Sequence, residues 1–454
     1  METRETTPRN TAAIWLERSC GRSFLALALL VACNTQCLWV PVAKADPLLG
    51  DAMAAYSTAE ASDANPANAA FLEQSQVVYI SEAIRDEQIK VRYPGFDPIT
   101  ISNSGFTIPI TKPAFIYKIT PRIGVGGFFV PAIPVTVNLK KPKIPVVILG
   151  AQNFLDLSVS AKVQGVGGAT FGYRINDRLG VGLGATYQAA QFTAKMTSSS
   201  DNSLLADVDG SGSQTSMIVG LRAVILPNIL QIGIAADVYS QQKVSLNIKS
   251  PLLEGTGVEN GLGNSGDAFS GSKSFSSILV GGQLGLGQRV RILTDLRHSR
   301  VDKSQTGFSL VSLKQAKQDL YDTTSVRAGA IVSAMPRLNL LMGIHAEPSN
   351  IGPGKRGDDP LIGFGTINLV QIMAGLAPLT PYTMVAAGLQ LGLVAKSVRK
   401  PQMAHGREKG YYQLVLEGGV TYTYSSLGID SSGELPGAYL YRKVGVPLGF
   451  IYRF

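Results

Sequence analysis

The sequence predicts an all-β chain: a transmembrane antiparallel β-barrel of about 14 strands, with 16 as the fallback count, closed by an N-terminal plug in its lumen. Three observations carry this. Apolar residues alternate with small or polar ones at period two over segments of roughly 8 to 15 residues. Tight turn signals recur roughly every fifty residues with long polar stretches between them, too far apart for a soluble sandwich. Charge is scarce: 16% of the 454 residues are charged, while 45% are hydrophobic and 49 are Gly. Soluble domains carry about 25% charge.

From the N-terminus, residues 1–45 read as a targeting segment. Arg4, Arg9, Arg18 and Arg22 precede the apolar run Phe24–Ala32, and Ala43-Lys44-Ala45 supplies a small-x-small cleavage site. Leu30-Val31-Ala32-Cys33 is a competing lipobox in which Cys33 would be lipidated, and an uncleaved anchor is the third reading. Cys20, Cys33 and Cys37 all lie here, as do Trp15 and Trp39, so a chain starting at Asp46 has neither residue type. Disulfide frameworks and thiol chemistry are thereby excluded from it. Its balance is 36 basic against 29 acidic residues, or +7, with the basic residues scattered. That pattern speaks against nucleic acid as a partner.

Residues 46–74 do not alternate; they are Ala-rich and read as a short helix and loop stopping near Pro66. The segment is too small to fold alone, which leaves a disordered leader or a plug inside a barrel over residues 75–454. The plug reading gains from the strand Leu179–Gln191. There Leu179, Val181, Leu183, Ala185 and Tyr187 form one face, and Gly180, Gly182, Gly184, Thr186 and Gln188 the other. A Gly-rich inner face permits close approach of another backbone. Val385, Ala387, Leu389, Leu391 and Leu393 likewise oppose Gly388, Gln390 and Gly392.

The expected turns are Thr120–Arg122, Asn176–Arg178, Pro227-Asn228, Gly287–Arg289, Pro336-Arg337 and Leu379–Pro381. With both termini on one side, six turns imply seven outward hairpins and fourteen strands. Tyr411–Tyr424 is strand-like but exceeds that count, so it is assigned to a long final hairpin or loop. Leu361–Ala395 lacks charge and approaches the length of a helical span. Pro378 and Pro381 interrupt it, and its Gly/Gln alternation favours strands.

The chain ends GVPLGFIYRF. Val446, Leu448, Phe450 and Tyr452 share an apolar face ending at Phe454, and Gly445, Gly449 and Arg453 share the other. Such a strand would close the barrel against the first one, with a bulge expected at Pro447, which lacks a ladder donor.

The segment LGDAMAAYSTAEASDANPANAAFL, with Leu49-Gly50, Asp63, Asn65-Pro66-Ala67 and Phe71, resembles the N-terminal hatch of the FadL-type outer-membrane transporters. Phe171–Met196 looks like that family's mid-barrel hairpin. Leu448, Phe450, Tyr452 and Phe454 resemble the signal read by the barrel-assembly machinery. The resemblance covers about half the chain. It implies fourteen strands, a hatch over Leu49–Phe71, an outer-membrane monomer in contact with lipid, and passive uptake of hydrophobic molecules such as long-chain fatty acids or hydrocarbons. A general diffusion porin and a structural or adhesive barrel without transport are the alternatives.

No enzyme, metal site or cofactor is expected. His298, His345 and His405 stand in no ligand spacing. Alternation places His298 on the face opposite Asp295 and Ser299, which disfavours a triad within that strand. Two loops are candidate substrate-binding elements. Pro131–Asn153 combines Lys140, Lys141 and Lys143 with Ile144 and Val147, a cationic rim on an apolar groove that suits an amphipathic carboxylate. Lysines touching lipopolysaccharide phosphate are the other reading. Phe308–Leu320 would place Leu310 and Leu313 on a short amphipathic helix over the barrel mouth, with irregular loop as the other reading.

Overall fold

The computed structural model describes residues 47–49, 51–92, 99–103, 107–130, 133–148, 151–198, 204–249, 266–273, 276–300, 306–308, 315–317, 322–348, 382–396, 411–429 and 437–454. A 3-10 turn (Pro47–Leu49) and two single-turn helices, α1 (Ala61–Ala64) and α2 (Asn68–Phe71), come first. The strands follow: β1 (Gln76–Arg92), β2 (Ile99–Asn103), β3 (Thr107–Thr120), β4 (Ile123–Val130), β5 (Ile133–Ile148), β6 (Ala151–Arg174) and β7 (Leu179–Ser198). Next are β8 (Leu204–Leu226), β9 (Leu230–Lys249), β10 (Gly266–Lys273), β11 (Ser277–Leu286), β12 (Val290–Ser299), β13 (Thr306–Phe308) and β14 (Gln315–Lys317). The chain ends with β15 (Thr323–Met335), β16 (Leu338–Glu347), β17 (Tyr382–Lys396), β18 (Tyr411–Ile429) and β19 (Gly437–Arg453).

Apart from β13 and β14, which form a separate two-stranded sheet, these strands form a closed antiparallel barrel of fourteen positions. Segments β2 and β3 both pair with β1 and together fill the second position. Likewise β4 and β5 share β6, and β10 and β11 share β9. Closure is made by β19 against β1, from Gln76↔Arg453 to Arg92↔Ala438. The Phe454 amide donates to the Ser75 carbonyl at 3.0 Å, so the last residue is inside the ladder rather than beyond it. On the far side of the second position, the β3–β4 ladder stops at Ala114↔Phe128, whereas β5 and β6 stay paired to Ile148↔Ala151.

Five tight turns lie at one end, at 121–122, 175–178, 227–229, 287–289 and 336–337. Their chemistry is local. Thr120 Oγ1 accepts the Arg122 and Ile123 amides at 3.2 and 3.1 Å, and Asn176 Oδ1 accepts those of Arg178 and Leu179 at 2.8 and 2.9 Å. Asn228 and Gly287 take left-handed backbone (φ 62° and 64°), which Asn and Gly tolerate best.

Several expectations are corrected. Tyr411–Tyr424 is neither loop nor surplus: β18 pairs with both β17 and β19 and is the thirteenth wall strand. The count stays at fourteen because the crossing expected at Leu379–Pro381, which lies outside the described residues, is made elsewhere in the chain. Tyr382 stands opposite Glu347, at the far end of β16 from Pro336-Arg337, so the chain recrosses after Lys396 instead. The inferred loop Pro131–Asn153 is largely wall, and β8 reaches back to Leu204 through one of the long polar stretches between turns. No helix spans Phe308–Leu320, because Gln315–Lys317 is extended and pairs with Thr306–Phe308. Pro447 produces no register shift in β19 against β18. That ladder is interrupted between Gly418↔Leu448 and Thr421↔Gly445, and the shift lies on β1 between Ile84 and Asp86.

The two faces sort as alternation requires. Leu183, Tyr187, Leu389, Val420 and Leu448 point outward and are each more than half exposed. Phe450, Tyr452 and Phe454 are also exposed; Phe450 stacks on Tyr79 at 5.5 Å and Tyr452 on Phe454 at 5.9 Å. An apolar exterior this continuous would drive aggregation in water and suits hydrocarbon. Two outcomes check the fold. Unheated protein should migrate differently from boiled protein on a denaturing gel. Val420→Arg, on the outward face, should destabilise the barrel by about 2–4 kcal/mol in lipid-vesicle unfolding titrations.

Candidate functional site: a lumen filled by the N-terminal plug

The residues from Leu48 to Ser75 sit inside the barrel and are mostly buried. Three apolar contacts hold them. Leu48, Leu49, Met53 and Tyr56 pack with Leu293, Ile331 and Leu341 of β12, β15 and β16. Ala59, Ala69 and Leu72 pack with Val78, Ile116, Phe128, Val166 and Ile451 around the closure seam. Ala54 meets Ala235 and Leu279. A segment this short has too little surface for a core of its own, so the wall provides the other half.

Close approach depends on bare backbone in the wall. A Cβ on Gly182 would collide with the Pro66–Ala67 peptide, and one on Gly233 with the Ala54 carbonyl. Gly180 lies under the Phe71 ring, where a Cβ would stand 2.6 Å from Cε2. The expected Gly-rich inner face of β7 therefore does receive the plug.

Many polar groups of this buried segment are met by wall groups or by one another, as burial favours. Asp295 Oδ2 accepts the backbone amides of Met53 and Ala54. Gln76 Oε1 accepts the Ala59 amide at 2.8 Å, and Lys118 Nζ donates to the Ala70 carbonyl at 2.9 Å. Asn65 Nδ2 donates to the carbonyls of Ala54 (2.7 Å) and Leu221 (3.1 Å), tying plug to β8. Asn68 Nδ2 donates to the Met53 and Ala61 carbonyls, while Arg222 Nη1 donates to Asn68 Oδ1 at 3.0 Å. The same guanidinium lies 4.9 Å from the Phe71 ring centroid, a cation–π contact out of water.

Opposite this anchor, His345 bridges two carboxylates. Its Nδ1 is 3.1 Å from Asp51 Oδ2 of the plug, and its Nε2 is 3.1 Å from Glu347 Oε2. Arg327 Nη2 lies 4.0 Å from that Glu347 oxygen. Asp51 reaches the imidazole from a left-handed backbone, φ 59°, a conformation Asp tolerates with some strain. Among the described residues no such group could hold a metal ion.

Of the residues singled out in sequence, Leu49, Asn65, Pro66 and Ala67 are buried against the wall, and Asp63 and Phe71 are half-buried in α1 and α2. Gly50, Leu310 and Leu313 lie outside the described residues. Lys140, Lys141 and Lys143 fall in a register shift of β5 against β6, between Leu139↔Leu157 and Ile144↔Leu155; Val147 is paired with Gln152. His298 is exposed on the outer face, its Nδ1 3.0 Å from Thr324 Oγ1. Sequence reasoning missed Asp51, Asn68, Gln76, Lys118, Arg222, Asp295 and His345 as plug ligands. One signal was present: Leu293 is an apolar residue on the otherwise charged inner face of β12, between Arg291 and Asp295. An apolar position on a lumen face marks where something dry is packed against it.

Gly182→Leu should displace the plug at a cost of about 1–3 kcal/mol while leaving the barrel closed. The expected readout is new protease cleavage between residues 51 and 72 with unchanged heat-modifiable mobility.

No protein-family model matches the chain, and no curated protein matches its sequence. Solved structures match across nearly its whole length. A FadL homologue from Pseudomonas aeruginosa aligns at 12% identity over 91% of this chain and 98% of that one, TM-score 0.59. The P. putida toluene transporter TodX aligns at 12% identity over 90% and 98%, TM-score 0.57. The Ralstonia pickettii toluene transporter TbuX aligns at 12% identity over 90% and 98%, TM-score 0.51. At that identity the likeness is one of architecture, and the chain is a fourteen-stranded, internally plugged barrel of the FadL-type fold.

Proposed function

We propose that this chain is an outer-membrane channel for passive uptake of hydrophobic molecules, with long-chain fatty acids or hydrocarbons as the cargo class. One observation carries the reading: the lumen is filled by the chain's own N-terminal segment, packed dry against Leu293, Ile331 and Leu341 and held by side-chain hydrogen bonds. A diffusion porin needs an open aqueous path; this one is blocked until the plug rearranges. The toluene transporters among its structural neighbours support a hydrocarbon-sized cargo. Partition of an alkyl chain out of water contributes about 0.8 kcal/mol per CH₂, so no covalent chemistry is required. Residues 1–45 act as the export signal, the Leu448–Phe454 face as the assembly signal, and the barrel works as a monomer.

In this mechanism an outer element captures cargo and the plug shifts to open a route. Lys140, Lys141 and Lys143 would meet a carboxylate head beside the apolar Ile144 and Val147, and Leu310 and Leu313 would add apolar contact. The halt of the β3–β4 ladder at Ala114↔Phe128 marks the wall position with least backbone pairing among the described residues, where a route can form at least cost.

Deleting residues 46–64 should convert the closed barrel into a leaky one. Liposome-swelling rates to small solutes should rise severalfold, while selective uptake of labelled fatty acid or alkane falls. Steady high conductance of the intact chain in planar bilayers would favour the porin. Unchanged uptake of every hydrophobic compound in a deletion strain would favour a barrel without transport. A binding screen of fatty acids, alkanes and monoaromatics against the purified protein then names the cargo.

A further inference from the structure

Four of the five described tight turns share one build: an exposed apolar side chain followed two or three residues later by an exposed arginine. The pairs are Ile119 and Arg122, Ile175 and Arg178, Leu286 and Arg289, and Met335 and Arg337. The fifth turn keeps the apolar part in Leu226 and Ile229 but has Asn228 in place of arginine. Asp177 is the only acidic residue in these five turns. All five lie at one end of the barrel, so the arginines form an incomplete ring along that rim, from the connection of β3 and β4 to that of β15 and β16.

The apolar partners set the depth of the ring. Isoleucine, leucine and methionine this exposed, immediately above a turn, carry the hydrocarbon boundary down to the turns themselves. Tyr117, Tyr173 and Tyr452 are exposed on the wall at the same end, as aromatic side chains at a lipid–water boundary are. Arginines two or three residues further on then stand at the level of lipid headgroups. A guanidinium is matched to phosphate oxygens, to which it can donate two parallel hydrogen bonds.

We propose that Arg122, Arg178, Arg289 and Arg337 form a collar that docks on the phosphates of anionic phospholipids in the leaflet bordering the turn end. This rests on the membrane-spanning reading above and adds a lipid preference to it. An acidic soluble protein is the competing partner for such a ring, but it would need the arginines to stand clear of the bilayer, and the apolar residues beside them hold them at its surface.

The test uses the full chain in vesicles of phosphatidylcholine alone and in vesicles with about a fifth phosphatidylglycerol. Unfolding, read by loss of heat-modifiable mobility, should be about tenfold slower with the anionic lipid, and high salt should remove much of the gain. The variant Arg122→Gln/Arg178→Gln/Arg289→Gln/Arg337→Gln should unfold at one rate in both lipids. Equal rates for the parent in the two lipids, or a gain that the variant retains, would overturn the collar. So would an acidic periplasmic protein retained by the parent and not by the variant, without any lipid effect. If the variant does not fold, the salt dependence of the parent decides. Absence of heat-modifiable mobility in the parent itself would instead defeat the membrane-barrel reading.

Discussion

Backbone amides and carbonyls cannot be left unpaired in hydrocarbon, and that constraint organises the whole molecule. A sheet can meet it only by closing on itself. Closure here joins residues far apart in the chain, from Gln76↔Arg453 to Arg92↔Ala438, with the Phe454 amide on Ser75 as the last bond. It places Pro447, which has no amide to give, in a strand flanked on both sides. The missing donor is absorbed by two unpaired steps towards β18 and a shift on β1, and the register of β19 itself is kept.

A closed wall has an inside, and its chemistry follows from what fills it. Fourteen strands enclose more space than their own inward side chains occupy. The chain returns its N-terminal segment into that space, and the wall is shaped to receive it: glycine where plug backbone touches, leucine and isoleucine where plug side chains lie, and Asp295, Gln76, Lys118 and Arg222 where plug polar groups would otherwise be orphaned. Both ends of the plug combine close steric contact with ionisable groups: glycine approach, Lys118 and Arg222 around Asn65–Phe71, and Gly233, Asp295 and the Asp51–His345–Glu347 bridge around Asp51–Ala54.

Much of this was legible beforehand, for a physical reason. Period two is imposed by the strand itself, so the faces of β7, β12 and β17 could be read residue by residue, down to His298 outside and Asp295 inside. Turn chemistry is equally local, and the five turns built on Asn, Gly or Pro were found where expected. The sixth was misplaced because Leu379-Thr380-Pro381 has the composition of a turn, while its position depends on the pairing of Glu347 with Tyr382. Composition also misled at Pro131–Asn153 and after Ser198, where polar or Pro-containing strands rise beyond the apolar band and no longer show lipid-like alternation.

By itself, then, the sequence determined the class of structure, the facing of its best-patterned strands and the presence of an unalternating N-terminal segment, because each depends on residues that are neighbours in the chain. Tertiary structure alone decided which strand is thirteenth, where the barrel is seamed, and which side chains grip the plug. Asp51 and His345 are 294 positions apart, and Asn68 and Arg222 are 154 apart. No local pattern marks one as the partner of the other, because the contact exists only once the wall has closed around the segment it holds.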